Sequence, residues 1–358
     1  MNGILHDSVL LIKIPKLEAD TDDLTLEGGA DPYIRYVNCI PLFLFNKFEL
    51  LYNNKVIFEK FPQFIFEKVL QMSQPDDFED LYKKDIGYDT DANRTTAAEN
   101  DQLFMLDLDM LFNIFSVGFD AHNYRGEFKL RLKIKDSPKK IIQTNIPESR
   151  ISPITFEKQD IKLLLKYNIP NPRLTKIISD TKINKGVILY DHELITHETI
   201  LPARATLQQN IKLDFLRNKY VVYMNFFVIK EKYHSTNYGC DYTEQFEQIS
   251  KFGLKNLNDF IDGNFDYITD EMYRMYYLRY MRMNNLRHLF DKNIYTISFS
   301  HDLSKEFVDE SVVTYSNAKL FNMQYPELVI FLKNAITENT KIVINCYCSR
   351  LYQQHGGE

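Results

Sequence analysis

Few residues of this chain combine the types and spacing that chemistry requires. Ser300, His301 and Asp302 supply the three residue types of a nucleophilic triad, but as sequence neighbours. A triad is assembled from separate elements, so adjacency gives it no support. His192 and His197 stand five apart. On a strand that odd spacing puts them on opposite faces, where they cannot share a metal. Cys346 and Cys348 do share a strand face. Zinc needs further ligands, and only His355 is near in sequence, so these read as two buried thiols. Asp89, Asp91 and Asn93 occupy the first three oxygen positions of a calcium loop. Arg94 then stands where the turn glycine belongs, and Asn100 where the bidentate glutamate belongs. The sequence carries no GxSxG, P-loop, GxGxxG or HExxH motif. It also offers no carboxylate pair fit for glycoside hydrolysis. No residue is nominated as catalytic, cofactor-binding or metal-ligating, and no cofactor is expected.

The strongest candidate for contact with nucleic acid is residues 270–292, which mix Arg274, Arg279, Arg282, Arg287 and Lys292 with tyrosine and methionine. On a helix the four arginines spread round more than half the circumference instead of forming one stripe. Met272, Tyr276, Tyr280 and Met283 form a packing face, so the segment reads as a helix docked on a sheet or partner. Direct nucleic-acid binding is not expected. Thr269 caps this helix, with Asp270 and Glu271 in its first turn favoured by the helix dipole.

The elements around these residues are mostly strands. Residues 8–16 read as a strand, followed by an acidic loop over 18–31. Residues 43–52, Asn53-Asn54 and 55–60 read as a hairpin, because Asn tolerates positive φ in a two-residue turn. Residues 62–82 carry a rough helical period. The polar run 85–102 reads as a long surface loop. Strands follow at 103–112 and 126–134. In the second, Phe128, Leu130, Leu132 and Ile134 alternate with Lys129, Arg131 and Lys133, as expected for a sheet with one wet face. Prolines 138, 147 and 153 mark a domain boundary, giving domains 1–150 and 151–358. Further strands are expected at 161–167, 186–190, 192–200, 209–213 and 220–228, then a loop-rich stretch over 232–267. The closing strands are 294–298, 327–333 and 340–347. The last two are expected to be neighbours joined by a turn at 334–339. Tandem groups of antiparallel strands with short helices predict an all-β fold of two jelly-roll sandwiches.

Composition agrees with a structural role. The chain has 358 residues, 44% hydrophobic, with Phe 26 and Tyr 23 and no tryptophan. Two sizeable cores can be buried, and the aromatic excess favours strands. The net charge of −6 gives no global pull toward nucleic acid or an anionic membrane. Four scattered cysteines do not form a disulfide framework and suit a reducing compartment. The first residues lack the pattern of a signal peptide, and no run approaches the ~20 apolar residues of a membrane helix. The sequon at Asn93-Arg94-Thr95 is therefore expected to be unused.

Five segments, 38–70, 156–174, 190–227, 253–298 and the closing strands from Pro326, keep an order and pattern of their own. They comprise an Asn-turn hairpin running into a helix, a short strand-bearing stretch, a long strand followed by an Ile-Leu-Pro corner, a tyrosine-rich helix before a strand, and a final strand pair. Together they resemble the double jelly-roll major capsid proteins of DNA viruses, especially the Polinton/Maverick and adintovirus-like group. The resemblance covers roughly residues 35–352 and is one of pattern more than identity. More chain usually precedes the first strand in that family; here that strand starts within the first dozen residues, or it is missing or supplied by another subunit. The resemblance implies two jelly rolls per chain, homotrimeric pseudohexameric capsomers and an icosahedral shell. It also implies contacts with neighbouring capsomers, penton and minor capsid proteins, and a place in the virion after assembly in the host cytoplasm or nucleus. Loops at 85–102 and 232–267 would form towers or clasps between subunits. Two rival readings are a scaffolding or minor jelly-roll capsid protein, and a carbohydrate-binding or hydrolytic β-sandwich.

Overall fold

Leu10, Ile12 and Ile14 are fully buried, while Leu11 and Lys13 between them are not. The first long segment is thus a strand with one inward face. The computed structural model describes residues 4–5, 8–22, 24, 26, 29, 31–62, 65–66, 85–112, 119–120, 127–135, 141–168, 171, 173, 176, 187–231, 246–256, 259–260, 267–275, 293–299, 319–321 and 325–354. They fall in two units, the first running chiefly to Leu189 and the second over Tyr190–Leu351.

The first unit opens with strands β1 (Ile4–Leu5), β2 (Val9–Ile14) and β3 (Ile34–Tyr36), then helix α1 (Ile40–Phe43). The predicted hairpin follows as β4 (Phe45–Tyr52) and β5 (Lys55–Lys60). Asn53 and Asn54 take φ of 49° and 64°, the left-handed pair that a two-residue hairpin turn needs. The chain continues through α2 (Asp91–Ala98), β6 (Gln102–Asp107), α3 (Leu108–Leu111), β7 (Phe119–Asp120) and β8 (Phe128–Ile134). It ends with β9 (Ile142–Thr144), β10 (Ile161–Leu164) and β11 (Tyr167–Asn168). The sheets are β10-β2-β6, β5-β4-β8, β11-β1-β7 and the pair β3-β9. Along β8 the apolar residues are half-buried and Lys129, Arg131 and Lys133 exposed, as the alternation predicts.

The second unit is a sandwich of two antiparallel sheets. Its strands are β12 (Val187–Leu201), β13 (Gln208–Lys212), β14 (Tyr220–Lys230), β15 (Ile249–Asn256), β16 (Asp259–Phe260) and β17 (Ile268–Thr269), followed by β18 (Tyr295–Ser298), β19 (Lys319–Leu320), β20 (Pro326–Leu332) and β21 (Thr340–Gln354). One sheet runs β12-β21-β14-β18 with β19 beside β14; the other runs β13-β20-β15-β16 with β17 beside β15. A shared core joins them, with Met224, Phe226, Ile344 and Cys346 from the first sheet and Ile211, Phe252, Leu328 and Ile330 from the second. Phe226 meets Phe252 edge-on at 4.9 Å and stacks on Tyr295 at 5.7 Å.

Several expectations change. The compact units divide at 189/190 rather than 150/151, because β10 pairs with β2 and β11 with β1. The polar run 85–102 is not one long loop: residues 91–98 form α2. The strand expected at 103–112 turns into α3 after Asp107. Residues 232–267 contain β15, β16 and Tyr267, so they are not simply loop. Gly253 and a bulge between Ile249 and Lys251 interrupt the alternation that would have revealed β15. The closing strands β20 and β21 are not paired with each other. β20 pairs β13 and β15, whereas β21 pairs β14, so the connection over 333–339 crosses from one sheet to the other. The predicted helix over 62–82 is described only at residues 62, 65 and 66, which are helical.

Candidate functional site

Each sequence candidate for chemistry has a structural engagement where it is described. Asp89 sits before the N-terminus of α2. Its Oδ1 accepts from the Thr90 amide at 2.7 Å and from Asn93 Nδ2 at 2.8 Å. Asp91 accepts Arg35 Nη2 at 2.5 Å and also pairs with Arg94. Asp89 thus braces the residues around the Thr90 cap of α2, and Asp91 pairs with two arginines. The sequon Asn93-Arg94-Thr95 lies within α2. Among the described residues no group of three or more His, Cys, Asp or Glu could hold a metal. His197 stacks on Phe215 at 4.7 Å. Cys346 and Cys348 point into the second unit's core, where burial pushes both thiols up, Cys348 to about 12. Residues 300–302 and 276–292 lie outside the described residues. The start of the latter segment, 270–275, is helical, and Thr269 Oγ1 accepts the Met272 amide at 3.2 Å as predicted. Met272 packs on the core; Tyr273, which the period did not single out, is fully buried there. Arg274 is exposed and pairs with Asp270 at 3.5 Å.

Three features escaped sequence reasoning. The first is Arg94, a buried cation in a polar helix. Its Nη1 donates to the Tyr36 carbonyl at 2.6 Å and to Gln143 Oε1 at 3.1 Å, so it ties α2 to β3 and β9. It lines a cavity of about 380 Å³ with Tyr36, Tyr88 and Phe104. Gly87 borders the same cavity at φ +66°, where a Cβ would stand 2.8 Å from Phe104. The walls offer aromatic faces, the Asp89 carboxylate and an engaged guanidinium. The second is a charge ladder across β5-β4-β8. Glu49 lies opposite Glu59 on one side and Arg131 on the other. Arg131 donates to Glu49, and Lys47 bridges Glu49 and Glu59 at 2.6 Å each. The Arg131 guanidinium, helped by Lys47, holds the Glu49 carboxyl down at about 2. That offsets the repulsion of two carboxylates placed directly opposite each other.

The third is the outward face of the β10-β2-β6 sheet, the feature best suited to function. Leu103 is 66% exposed, Met105 50% and Leu164 50%. Cross-strand partners place them with Val9 and Leu11 on one face, away from buried Leu10, Ile12 and Ile14. A contiguous exposed apolar face of this kind marks an interaction site more than a catalytic one.

No family model matches the chain, and no curated protein does. Solved structures do. The chain matches one of the PBCV-1 virus capsid with a TM-score of 0.64 at 12% identity, covering 100% of this chain and 90% of that one. It matches the Faustovirus major capsid protein with a TM-score of 0.63 at 10% identity, covering 99% and 86%. A chain of the Sputnik virophage gives 0.53 at 8% identity, covering 99% and 82%. The fold is thus all-β with short helices, the double jelly roll that the segment order implied. Identity this low ties the chain to these proteins through fold. No helix among the described residues is long and apolar enough to cross a membrane.

Proposed function

We propose that this chain is the major capsid protein of a DNA virus, a structural and non-enzymatic protein of the virion. The observation that carries the reading is the likeness to the PBCV-1 capsid over the whole chain, through both units in succession. Two further features support it. Among the described residues, Asp89, Asp91, His197, Cys346 and Cys348 are engaged in hydrogen bonds, ion pairs, ring stacking or the core, and the outward face of the β10-β2-β6 sheet is largely apolar. Each unit is one jelly roll, with the boundary near 189/190. Copies associate as trimers with a pseudohexagonal outline, and these capsomers tile an icosahedral shell together with vertex and minor capsid proteins. The finer placement in the Polinton/Maverick and adintovirus-like group rests on the order of segments in the sequence.

The test is the mass of the purified full-length chain by light scattering after gel filtration. The expected species is a trimer, seen as a six-cornered particle in negative stain. A stable monomer at micromolar concentration overturns the proposal.

A further inference from the structure

We propose that the cleft framed by α2, residues 36–40 and residues 87–89 binds a small, flat organic cation, with the Asp89 carboxylate as its counter-ion. The site lies within the first unit and does not depend on the capsid reading. At about 380 Å³ the cleft falls at the small end of ligand pockets, which run ~300–1,000 Å³. A single ring with a short substituent suits it.

Charge selects the sign of the ligand. The guanidinium of Arg94 on the wall already has its carboxylate. Its Nη2 pairs with Asp91, and its Nη1 donates to the Tyr36 carbonyl and to Gln143. Its Nε is buried away from solvent, which leaves little of the group to hold an anion. Asp89 is the opposite case. Its Oδ1 accepts from two neutral donors, the Thr90 amide and Asn93 Nδ2. Among the described residues its Oδ2 accepts nothing and no cation pairs with it. A cation that donates to this oxygen gains a charge-assisted hydrogen bond. Three rings, Tyr36, Tyr88 and Phe104, line the same cleft. Aromatic rings both attract a cation and pack an apolar body.

The carboxylate is held in place before any ligand arrives. Asn38 Oδ1 accepts the Asp89 amide at 3.1 Å, and Asn38 Nδ2 donates to the Asp89 carbonyl at 3.2 Å. The next residue, Cys39, stands at φ 55°, and its amide donates to the Gly87 carbonyl at 3.2 Å. Left-handed backbone is unfavourable for a residue with a Cβ. It persists where the surroundings over-determine it, as they do at ligand clamps. Gly87 is left-handed too, and a Cβ there would stand 2.8 Å from Phe104. Segments 36–40 and 87–89 are thus locked where they frame the cleft, and a preorganised site loses less freedom on binding.

Three isosteres separate shape from charge: benzamidine is a cation, benzamide is neutral and benzoate is an anion. Each is titrated against full-length chain by ligand-observed NMR at pH 7. Benzamidine should bind about tenfold or more tightly than benzamide, the gain of a charge-assisted hydrogen bond, and benzoate should bind most weakly. Asp89→Asn keeps an Oδ1 acceptor for Thr90 and Asn93 and removes the charge. It should bring benzamidine to the level of benzamide. Ala97→Leu puts a good helix former into the cleft from α2 and should weaken benzamidine and benzamide alike, with thermal unfolding unchanged. The chain carries a net charge of −6, so benzamidine binding that survives both variants is attraction to the surface at large and overturns the site. Benzamidine no tighter than benzamide on wild-type chain overturns it as well, whatever the variants do. Benzoate binding tightest would mean that Arg35 and Arg94, which share the carboxylate of Asp91, govern the cleft, and that overturns the cationic ligand.

Discussion

Glu49 shows how much one residue on an outer sheet face can carry. It is only 3% exposed, yet it remains ionised because Arg131 and Lys47 converge on it. Its carboxyl is held at about 2 in the folded chain, below the ordinary value of 4.5. A depressed carboxyl contributes stability that is present above the unfolded value and is lost as pH falls through the folded one. The contribution is therefore complete above about pH 5 and drains away toward pH 2. Glu49→Gln should destabilise the chain by ~1–3 kcal/mol at neutral pH, since two cations lose a buried partner. The gap from wild type should close as pH approaches 2. Urea unfolding at pH 7 and pH 2.5 checks this, and an unchanged gap at both would sink the account. The ladder was only half legible in the sequence. Alternation placed Arg131 on the wet face of β8, but nothing local paired β8 with β4, so the partner carboxylate stayed hidden.

At the scale of elements, local chemistry was read correctly where it acts alone. The Asn53-Asn54 turn needs only two residues with positive φ, and the Thr269 cap needs only a hydroxyl before the first turn. Long-range anchoring was not legible. The helix α2 is polar, and its sequence invites a loop; what holds it is Arg94 reaching the Tyr36 carbonyl and Gln143, together with the Leu17 amide donating to the Ala98 carbonyl at 2.8 Å. The β20–β21 connection is a similar case. Two apolar runs joined by a short polar link look like a hairpin, and only the pairing of β20 with β13 and β15 reveals a crossing between sheets. The helical residues 270–275 offer a test at this scale. Tyr273 is buried in the core, burial pushing its hydroxyl up to about 12, and its hydroxyl oxygen accepts the Thr296 amide of β18 at 2.9 Å. Tyr273→Phe keeps the ring and removes the acceptor. It should cost ~1–3 kcal/mol, the penalty of a buried donor left unmade. Denaturant unfolding of the variant measures it, and a loss below the error of the method would mean that the amide finds another acceptor.

For the whole molecule, two units with separate sheets imply two cores that can fail separately. Phe226 sits at the centre of the second, against Phe252 and Tyr295. Phe226→Ala removes most of that packing, a loss of ~3–5 kcal/mol. The cysteines report where the damage goes, because Cys39 is buried in the first unit and Cys346 and Cys348 in the second. Buried thiols with raised pKa values are inert until their surroundings open. Pulsed thiol labelling of the Phe226→Ala chain, read by mass spectrometry of peptides, should show Cys346 and Cys348 modified much faster than in wild type. Cys39 should keep its native protection. Parallel exposure of Cys39, Cys346 and Cys348 would mean that the chain unfolds as one cooperative body, and the division near 189/190 would then describe contacts without independent stability. Early exposure of Cys346 and Cys348 with Cys39 protected fits two jelly rolls that each bury their own core.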